Sequence, residues 1–416
     1  MRDAMTTTSV ESVNSLSTRL RSAKVAAVAG LGVLLAGCAQ NAAQDTFAPE
    51  GENAERIDGL TRLVFSIAGV VGVITFSLIG WTVWRYRDRG QPIPEQSEGR
   101  KSLEIGLTIL PALILVGVAV PTVQTLSALN KTSDTECVVN VTGQQWWWEF
   151  DYPVQPGCLP GGITEPIVTS GQMVIPADTN VLIRGTSRDV IHSFWIPKLN
   201  GKRDMVPGRV HTLRMQANQP GIYAGQCAEF CGLSHANMRM EVVALSDAGF
   251  QTWVDNQLEA YTPPEEGTLA AEGEQTFIAN CSRCHQVNGI LDTNGTPIVS
   301  RPDTQVYPGA APNLTNLMTR NTFAGAMWDL IDDQRREEVW EASPEEFDEL
   351  YLAGVEDEWL NAVRLRAWLR NSPAEKAMYA DPTQLEPTDG RYRGMPYLAL
   401  SEDQIDQLIA YLLERK

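Results

Sequence analysis

Two stretches of 22 uncharged residues, 63–84 and 105–126, dominate the pattern of apolar and polar positions along this chain. At about 1.5 Å of rise per residue each reaches about 33 Å, the thickness of a bilayer's hydrocarbon core, so both are expected to be transmembrane helices. The connection between them carries Arg85, Arg87, Arg89, Arg100 and Lys101, and the positive-inside bias assigns it to the cytoplasm. The chain after about residue 127 is then outside. Pro111 and Pro121 interrupt the second stretch, which is tolerated where a neighbouring helix satisfies the freed carbonyls, so a helical partner is expected. Glu104, at the cytoplasmic mouth of that stretch, reads either as a boundary charge or as a point where protons enter.

Beyond the membrane the pattern changes twice. From 136 to about 245, short β-prone stretches (138–141, 145–152, 173–175, 181–184, 240–244) alternate with turn residues and predict a small β-sandwich or barrel. A helix over 248–258 closes it, and the turn-rich 261–267, with Pro263, Pro264 and Gly267, marks the best domain boundary. After that the signals are helical. A short helix leads into Cys281, and an amphipathic one over 401–415 puts Ile405, Leu408, Ile409 and Leu412 on one face.

Seven cysteines and four histidines are too few for a disulfide framework, and the odd cysteine number leaves at least one for other chemistry. The densest constellation is Cys227-x-x-x-Cys231-x-x-x-His235-x-x-Met238, with His192 upstream in a segment that reads as a strand end and turn. Thiolates, imidazoles and a thioether are the ligand set of a copper electron-transfer site. Two cysteines four apart on one loop can bridge two metals, whereas a mononuclear site needs only one. A zinc knuckle would want four closed ligands and has no redox use, and a disulfide would leave the histidines and the methionine unexplained.

This pattern resembles the binuclear copper centre of cytochrome c oxidase subunit II. The resemblance implies His192, Cys227, Cys231, His235 and Met238 as side-chain ligands and the Glu229 carbonyl as a further one. It also implies that the Glu229 carboxylate helps bind a magnesium or manganese ion shared with subunit I. The run Gln145-Trp146-Trp147-Trp148-Glu149 is similar to the family's aromatic strand, where the first tryptophan, here Trp146, relays electrons to copper. Sandwich core or interface aromatics are the other reading, and the one that suits Trp147 and Trp148. Residues 204–209 are family-like too and imply a surface toward subunit I, while Glu104 with 105–111 resembles the family's second helix, where that glutamate opens a proton channel. Cys137 and Cys158 flank the aromatic run in an oxidising compartment, and a disulfide between them is expected. His211, without a ligand partner nearby, reads as structural.

Cys281-Ser282-Arg283-Cys284-His285 is the attachment signature of a c-type haem, with the two cysteines on the vinyl groups and His285 on the iron. A thioether is favoured as the sixth ligand because it stabilises Fe(II) and raises the potential. Of Met318, Met327, Met378 and Met395, the last stands directly before the final helix. Together with Pro312-Asn313-Leu314 and 320–326, that placement resembles class I cytochromes c and implies Met395 as the axial ligand, the others being packing. At the other end of the chain, Arg19, Arg21 and Lys24 precede an apolar run, 25–35, too short to span a bilayer and ending in Leu35-Ala36-Gly37-Cys38. That looks like a bacterial lipoprotein signal, which would put a lipid on Cys38; a plain secretory signal or a short anchor is the alternative.

The expected fold class is therefore a multidomain membrane protein: a two-helix transmembrane hairpin, an all-β cupredoxin-like copper domain and an all-α class I cytochrome c domain. The expected organisation is a signal peptide at 1–37, an external segment at 38–62, the hairpin at 63–126, the copper domain at 127–260, a linker at 261–267 and the cytochrome domain at 268–416. Taken together this resembles subunit II of a bacterial caa3-type cytochrome c oxidase. The resemblance implies electron flow from cytochrome c or a cytochrome bc-type complex through the haem and the copper pair to subunit I, where oxygen is reduced to water and protons are pumped. Other oxidase subunits and membrane lipid are the implied partners. A membrane-anchored copper chaperone would need neither Met238 nor a haem, a quinol oxidase subunit lacks the copper ligands, and nitrous oxide reductase lacks the hairpin. Acidic residues outnumber basic ones 51 to 33, and the net charge of −18 excludes nucleic acid as a main partner. From Pro263 onward there are 27 acidic and 13 basic residues, 13 of the acids falling in about 327–358 beside only Arg335 and Arg336. That insert reads as a solvated helical one, or else as a docking patch for a basic electron donor.

Overall fold

A helix that is apolar all round has no face for water, and two such helices carry the hydropathy peaks: α1 (Glu52–Tyr86) and α2 (Lys101–Leu129). Their apolar spans are exposed within this chain, as segments that meet lipid or another subunit must be. The computed structural model describes residues 42–90, 98–131, 137–154, 158, 165–292, 294–298, 311–379 and 394–416; the signal stretch and Cys38 lie outside these. The residues read as an external segment include the first turns of α1, which dock on the copper domain. Glu50 N–H donates to the Lys198 carbonyl at 2.8 Å, Asn53 Nδ2 donates to the Arg214 carbonyl at 2.8 Å, and Arg214 pairs with Glu52 at 3.0 Å. A Cβ at Gly51 would meet the Gln216 carbonyl at 2.3 Å, so only glycine lets the chain pass there.

The all-β domain follows from strict alternation. In β1 (Cys137–Gln144) every second side chain is buried, and β2 (Trp147–Tyr152) sends Trp148, Phe150 and Tyr152 into the same interior. One sheet runs β3 (Ile167–Ser170), β2, β1, β5 (Val181–Ser187), β8 (His211–Met215). The other runs β4 (Gln172–Pro176), β10 (Arg239–Leu245), β9 (Gly221–Cys227), β6 (His192–Trp195), β7 (Arg203–Met205). β1 and β5, like β4 and β10, are parallel, and the remaining pairs are antiparallel. A disulfide joins Cys137 and Cys158. The segment holding His192 opens a strand rather than ending one, because Phe194 belongs to the core and pairs in register with Cys227.

Helix α3 (Asp247–Gln257) leads to the helical half, built on α4 (Leu269–Asn280), α5 (Asp333–Trp340), α6 (Phe347–Leu352), α7 (Ala362–Glu375) and α8 (Glu402–Leu413). α4 and α8 pack at close range: a Cβ on Gly273 would lie 2.0 Å from the Gln407 carbonyl. Ser401 closes a capping box with Gln404, and Ile405, Leu408, Ile409 and Leu412 are buried below it.

The acidic stretch 327–358 is not the solvated insert that its charge count suggests. Val339, Phe347 and Tyr351 are buried, so its apolar minority decides where it lies. Asp348 accepts from the Ser246 N–H at 3.2 Å and from the Ser246 hydroxyl, which itself caps α3, and the Tyr351 hydroxyl donates to Gln172 Oε1 at 3.3 Å. Arg320 adds a bond from its Nη1 to Ser170 Oγ at 2.9 Å, and Asn321 N–H donates to Gln172 Oε1 at 2.9 Å. These contacts make one body of the sandwich and the helical half.

Candidate metal centre and cofactor cavity

The loop between β9 and β10 is pinched at its neck. Arg239 pairs with Gln226 in the ladder, and Cys227 N–H donates to the Met238 carbonyl at 2.9 Å, so residues 227–238 are held as a closed loop on the end of the sandwich. β6 runs beside it and brings His192 across from a distant part of the chain. Within this loop Cys227 and Cys231 are free thiols with sulfurs 3.8 Å apart. His192 Nδ1 lies 3.8 Å from Cys227 Sγ and His235 Nδ1 3.5 Å from Cys231 Sγ, on opposite sides of the sulfur pair. Met238 Sδ is 3.8 Å from Cys231 Sγ, and the Glu229 carbonyl is 3.3 Å from Cys227 Sγ. Six donors from His192, Cys227, Glu229, Cys231, His235 and Met238 thus surround one small volume.

Electrostatics agree with a site for cations. The hydrogen bond from the neighbouring Cys231 thiol holds Cys227 well below the ordinary thiol range, and that same bond, with burial, pushes Cys231 up. Burial disfavours a charged His192 ring, but Asp189 outweighs it and raises His192 above its usual value. Asp189 Oδ1 lies 2.8 Å from His192 Nε2, with both side chains fully buried, and Asp189 also accepts from the Gln145 N–H at 2.8 Å. That contact leaves Nδ1 to face the sulfurs. The sequence reading missed Asp189, although its place three residues before His192 could have pointed to it. Gly232 lies in the loop at φ +108°, where a side chain would be strained and its Cβ would meet Gln145 Nε2 at 3.0 Å.

A second site stands beside the first. Cys281, Cys284, His285 and Met395 line a cavity of about 550 Å³. His285 Nδ1–H donates to the Pro312 carbonyl at 2.8 Å, and burial keeps the ring below its ordinary pKa, so Nε2 is the free lone pair. Met378, read as packing, lines the same cavity, and so do Trp146 and Trp147 from the copper domain. Two buried basic groups, Arg320 and Lys376, also line it, and no carboxylate does among the described residues. Burial lowers Arg320 to about 10 and Lys376 to about 7, which is the signature of cations short of an anion. Arg320 Nε has no hydrogen-bond partner among the described residues. An apolar ring with carboxylate substituents fits such a cavity.

Trp146 is buried rather than turned to an outside donor. Its ring faces the helical half of its own chain, stacking obliquely on Tyr379 at 5.2 Å, and its Nε1–H donates to the Cys231 carbonyl at 3.0 Å. Glu104 sits apart from both sites, exposed in the first turn of α2. His211, in β8, bonds through Nδ1 to the Asp204 carbonyl at 2.6 Å.

Residues 137–245 match the family Cytochrome C oxidase subunit II, periplasmic domain, and residues 38–125 match its transmembrane domain. The cytochrome c oxidase subunit 2 of Bacillus sp. strain PS3 is 32% identical over 403 residues, which cover 93% of this chain and 95% of that one. The chain belongs to the cytochrome c oxidase subunit II family. The corresponding subunit of Alkalihalophilus pseudofirmus is 33% identical, over 76% of this chain and 86% of its own. Among solved structures, the periplasmic domain of subunit II of the Bradyrhizobium japonicum cytochrome oxidase is 28% identical, covering 30% of this chain and 96% of that one with a TM-score of 0.26. As a cytochrome c oxidase subunit II, this is the membrane subunit through which electrons enter the oxidase, associated with other oxidase subunits. Its copper domain lies on the outer face of the membrane, and the family implies a binuclear copper site.

Proposed function

We propose that this subunit II carries its own electron donor: a covalent haem c in the 550 Å³ cavity, feeding the copper pair through the face of Trp146. One observation carries the reading. The cavity lined by the Cys281-x-x-Cys284-His285 signature and Met395 is walled on its other side by Trp146, whose ring N–H is bonded to the carbonyl of Cys231. When bound, the two groups would supply one-electron chemistry.

The chain's residues do the rest. Cys281 and Cys284 would tether the haem, and His285, whose Nδ1–H is held by the Pro312 carbonyl, and Met395 would be its iron ligands. His192, Cys227, Cys231, His235, Met238 and the Glu229 carbonyl hold copper. Burial of His192, Cys227, Cys231 and Met238 keeps water from that side of the copper set, which favours a small reorganisation on electron transfer. The Glu229 carboxylate is proposed for a magnesium or manganese ion shared with subunit I, Trp146 as the relay and Glu104 as the mouth of a proton channel. The domain limits read from the sequence, and lipidation at Cys38, belong to this proposal as well. The acidity of the helical half suits a basic donor, a cytochrome c or the cytochrome of a bc-type complex.

Elemental and spectral analysis of the purified oxidase tests this. Two coppers and one covalent haem per chain are expected, with the near-infrared and multiline EPR signature of a mixed-valence pair; a copper-only chain would refute the proposal. Met395→Ala should keep the haem attached and lose the weak sulfur-to-iron band. If Met378→Ala loses the band instead, the axial ligand is Met378.

A further inference from the structure

Residues 376–379 form the one stretch of the helical half that touches both the cavity and the copper loop among the described residues, and each of the four makes a different contact. Lys376 Nζ donates to the carbonyls of Trp146, at 2.8 Å, and of Ala324, at 2.7 Å, pinning the stretch across the seam. The Ala377 carbonyl accepts from Ser234 Oγ at 2.6 Å. Met378 lines the cavity. Tyr379 lays its ring on Trp146 at 5.2 Å and 44°. Ser234 is the covalent neighbour of His235, and Trp146 is bonded to the carbonyl of Cys231, so the stretch reaches two candidate copper ligands of the same loop.

We infer that residues 376–379 are the electron bridge from the cavity to the copper loop, by two converging routes: Tyr379 through Trp146 to Cys231, and Ala377 through Ser234 to His235. The inference rests on the haem reading above and adds residues to it. The bridge conducts one electron per transfer. The ferrous haem would lose the electron and the oxidised copper pair would gain it, with no bond made or broken and no proton moved. The bridge's virtue is contact: Met378 reaches the cavity, and beyond the stretch each step to the copper loop is a hydrogen bond or a ring-to-ring contact, where an unbonded gap would slow transfer. Lys376 is a positioning residue here. Its two carbonyl bonds fix the stretch against Trp146 whether or not its third hydrogen meets an anion in the cavity.

The test is flash photoreduction of the haem in the intact oxidase, following haem reoxidation as copper is reduced, in Tyr379→Leu, Ser234→Ala, the double variant and Tyr379→Phe. Haem content, copper EPR and both reduction potentials are measured alongside. Each single variant is expected to slow the transfer by about tenfold, a scale that small misplacements of reacting partners reach. The double variant should be slower than either, and Tyr379→Phe should stay near the native rate because the ring contact survives. Native rates in the double variant, with both centres at native content and potential, would overturn the bridge while leaving the haem reading intact. A Tyr379→Phe chain as slow as Tyr379→Leu would overturn the ring route. A chain without covalent haem would overturn both the bridge and the reading beneath it.

Discussion

At the copper loop the donor atoms touch one another, sulfur to sulfur at 3.8 Å and sulfur to imidazole at 3.5 and 3.8 Å, whereas the candidate haem ligands stand around about 550 Å³ of space. A small ion can be caged by side chains that pack well without it. A large flat cofactor has to be part of the core it sits in. The two sites would therefore ask different things of the fold: the sandwich supplies geometry for copper, while a helical half that holds the proposed haem would depend on it for packing.

The sharpest way to break that comparison is to remove each guest by its cysteines. Cys281→Ala with Cys284→Ala takes away the tether. Leaving a cavity of about 550 Å³ without its filling removes contacts that the side chains around it would otherwise make, and the loss grows with the volume left unfilled. The helical half is expected to lose its cooperative melting transition by calorimetry. Cys227→Ser should instead abolish the copper EPR signal and near-infrared band while the sandwich still melts within about 1–2 kcal/mol of the native chain. If the copper variant is the one that melts, the contrast between the sites is wrong.

A smaller effect sharpens the copper side. Asp189→Asn keeps the shape but weakens the contact that aims His192, and such outer partners typically matter by about 10–100-fold in metal affinity. Competition with a copper chelator should show that loss, while the spectrum at saturating copper stays native. An unchanged affinity would mean that β6 alone fixes the ring.

The same contrast explains what the sequence made legible. The candidate copper ligands were readable as a group because five of the six lie in one loop at fixed spacing, and the candidate haem signature, Cys281 to His285, because it is contiguous. The walls of the cavity were not. Trp146, Lys376, Met378 and Tyr379 meet only after the two halves fold together, and no local period encodes a seam. Strand β7 escaped because it is short and mostly exposed and carries Arg203 and Asp204, which dilute the apolar alternation. The acidic stretch misled for the opposite reason: thirteen acids hid the buried Val339, Phe347 and Tyr351.

The smallest effects divide the acids of that stretch. Asp348 faces the seam, accepting from the Ser246 N–H and hydroxyl, whereas Glu345, Glu346 and Glu349 are exposed. Asp348→Ala should cost about 1–2 kcal/mol of stability, the scale of a lost cap and buried acceptor, and leave donor kinetics alone. Neutralising Glu345, Glu346 and Glu349 to glutamine should do the reverse. Stability stays put, while turnover with a basic cytochrome c at low salt falls by about twofold to fivefold, because rim charges act on association and each exposed pair is weak. The loss should shrink as salt rises, since screening already removes the attraction in the native chain. Equal turnover at every ionic strength would strip these three glutamates of a docking role and leave the acidic stretch as a clamp between the two halves.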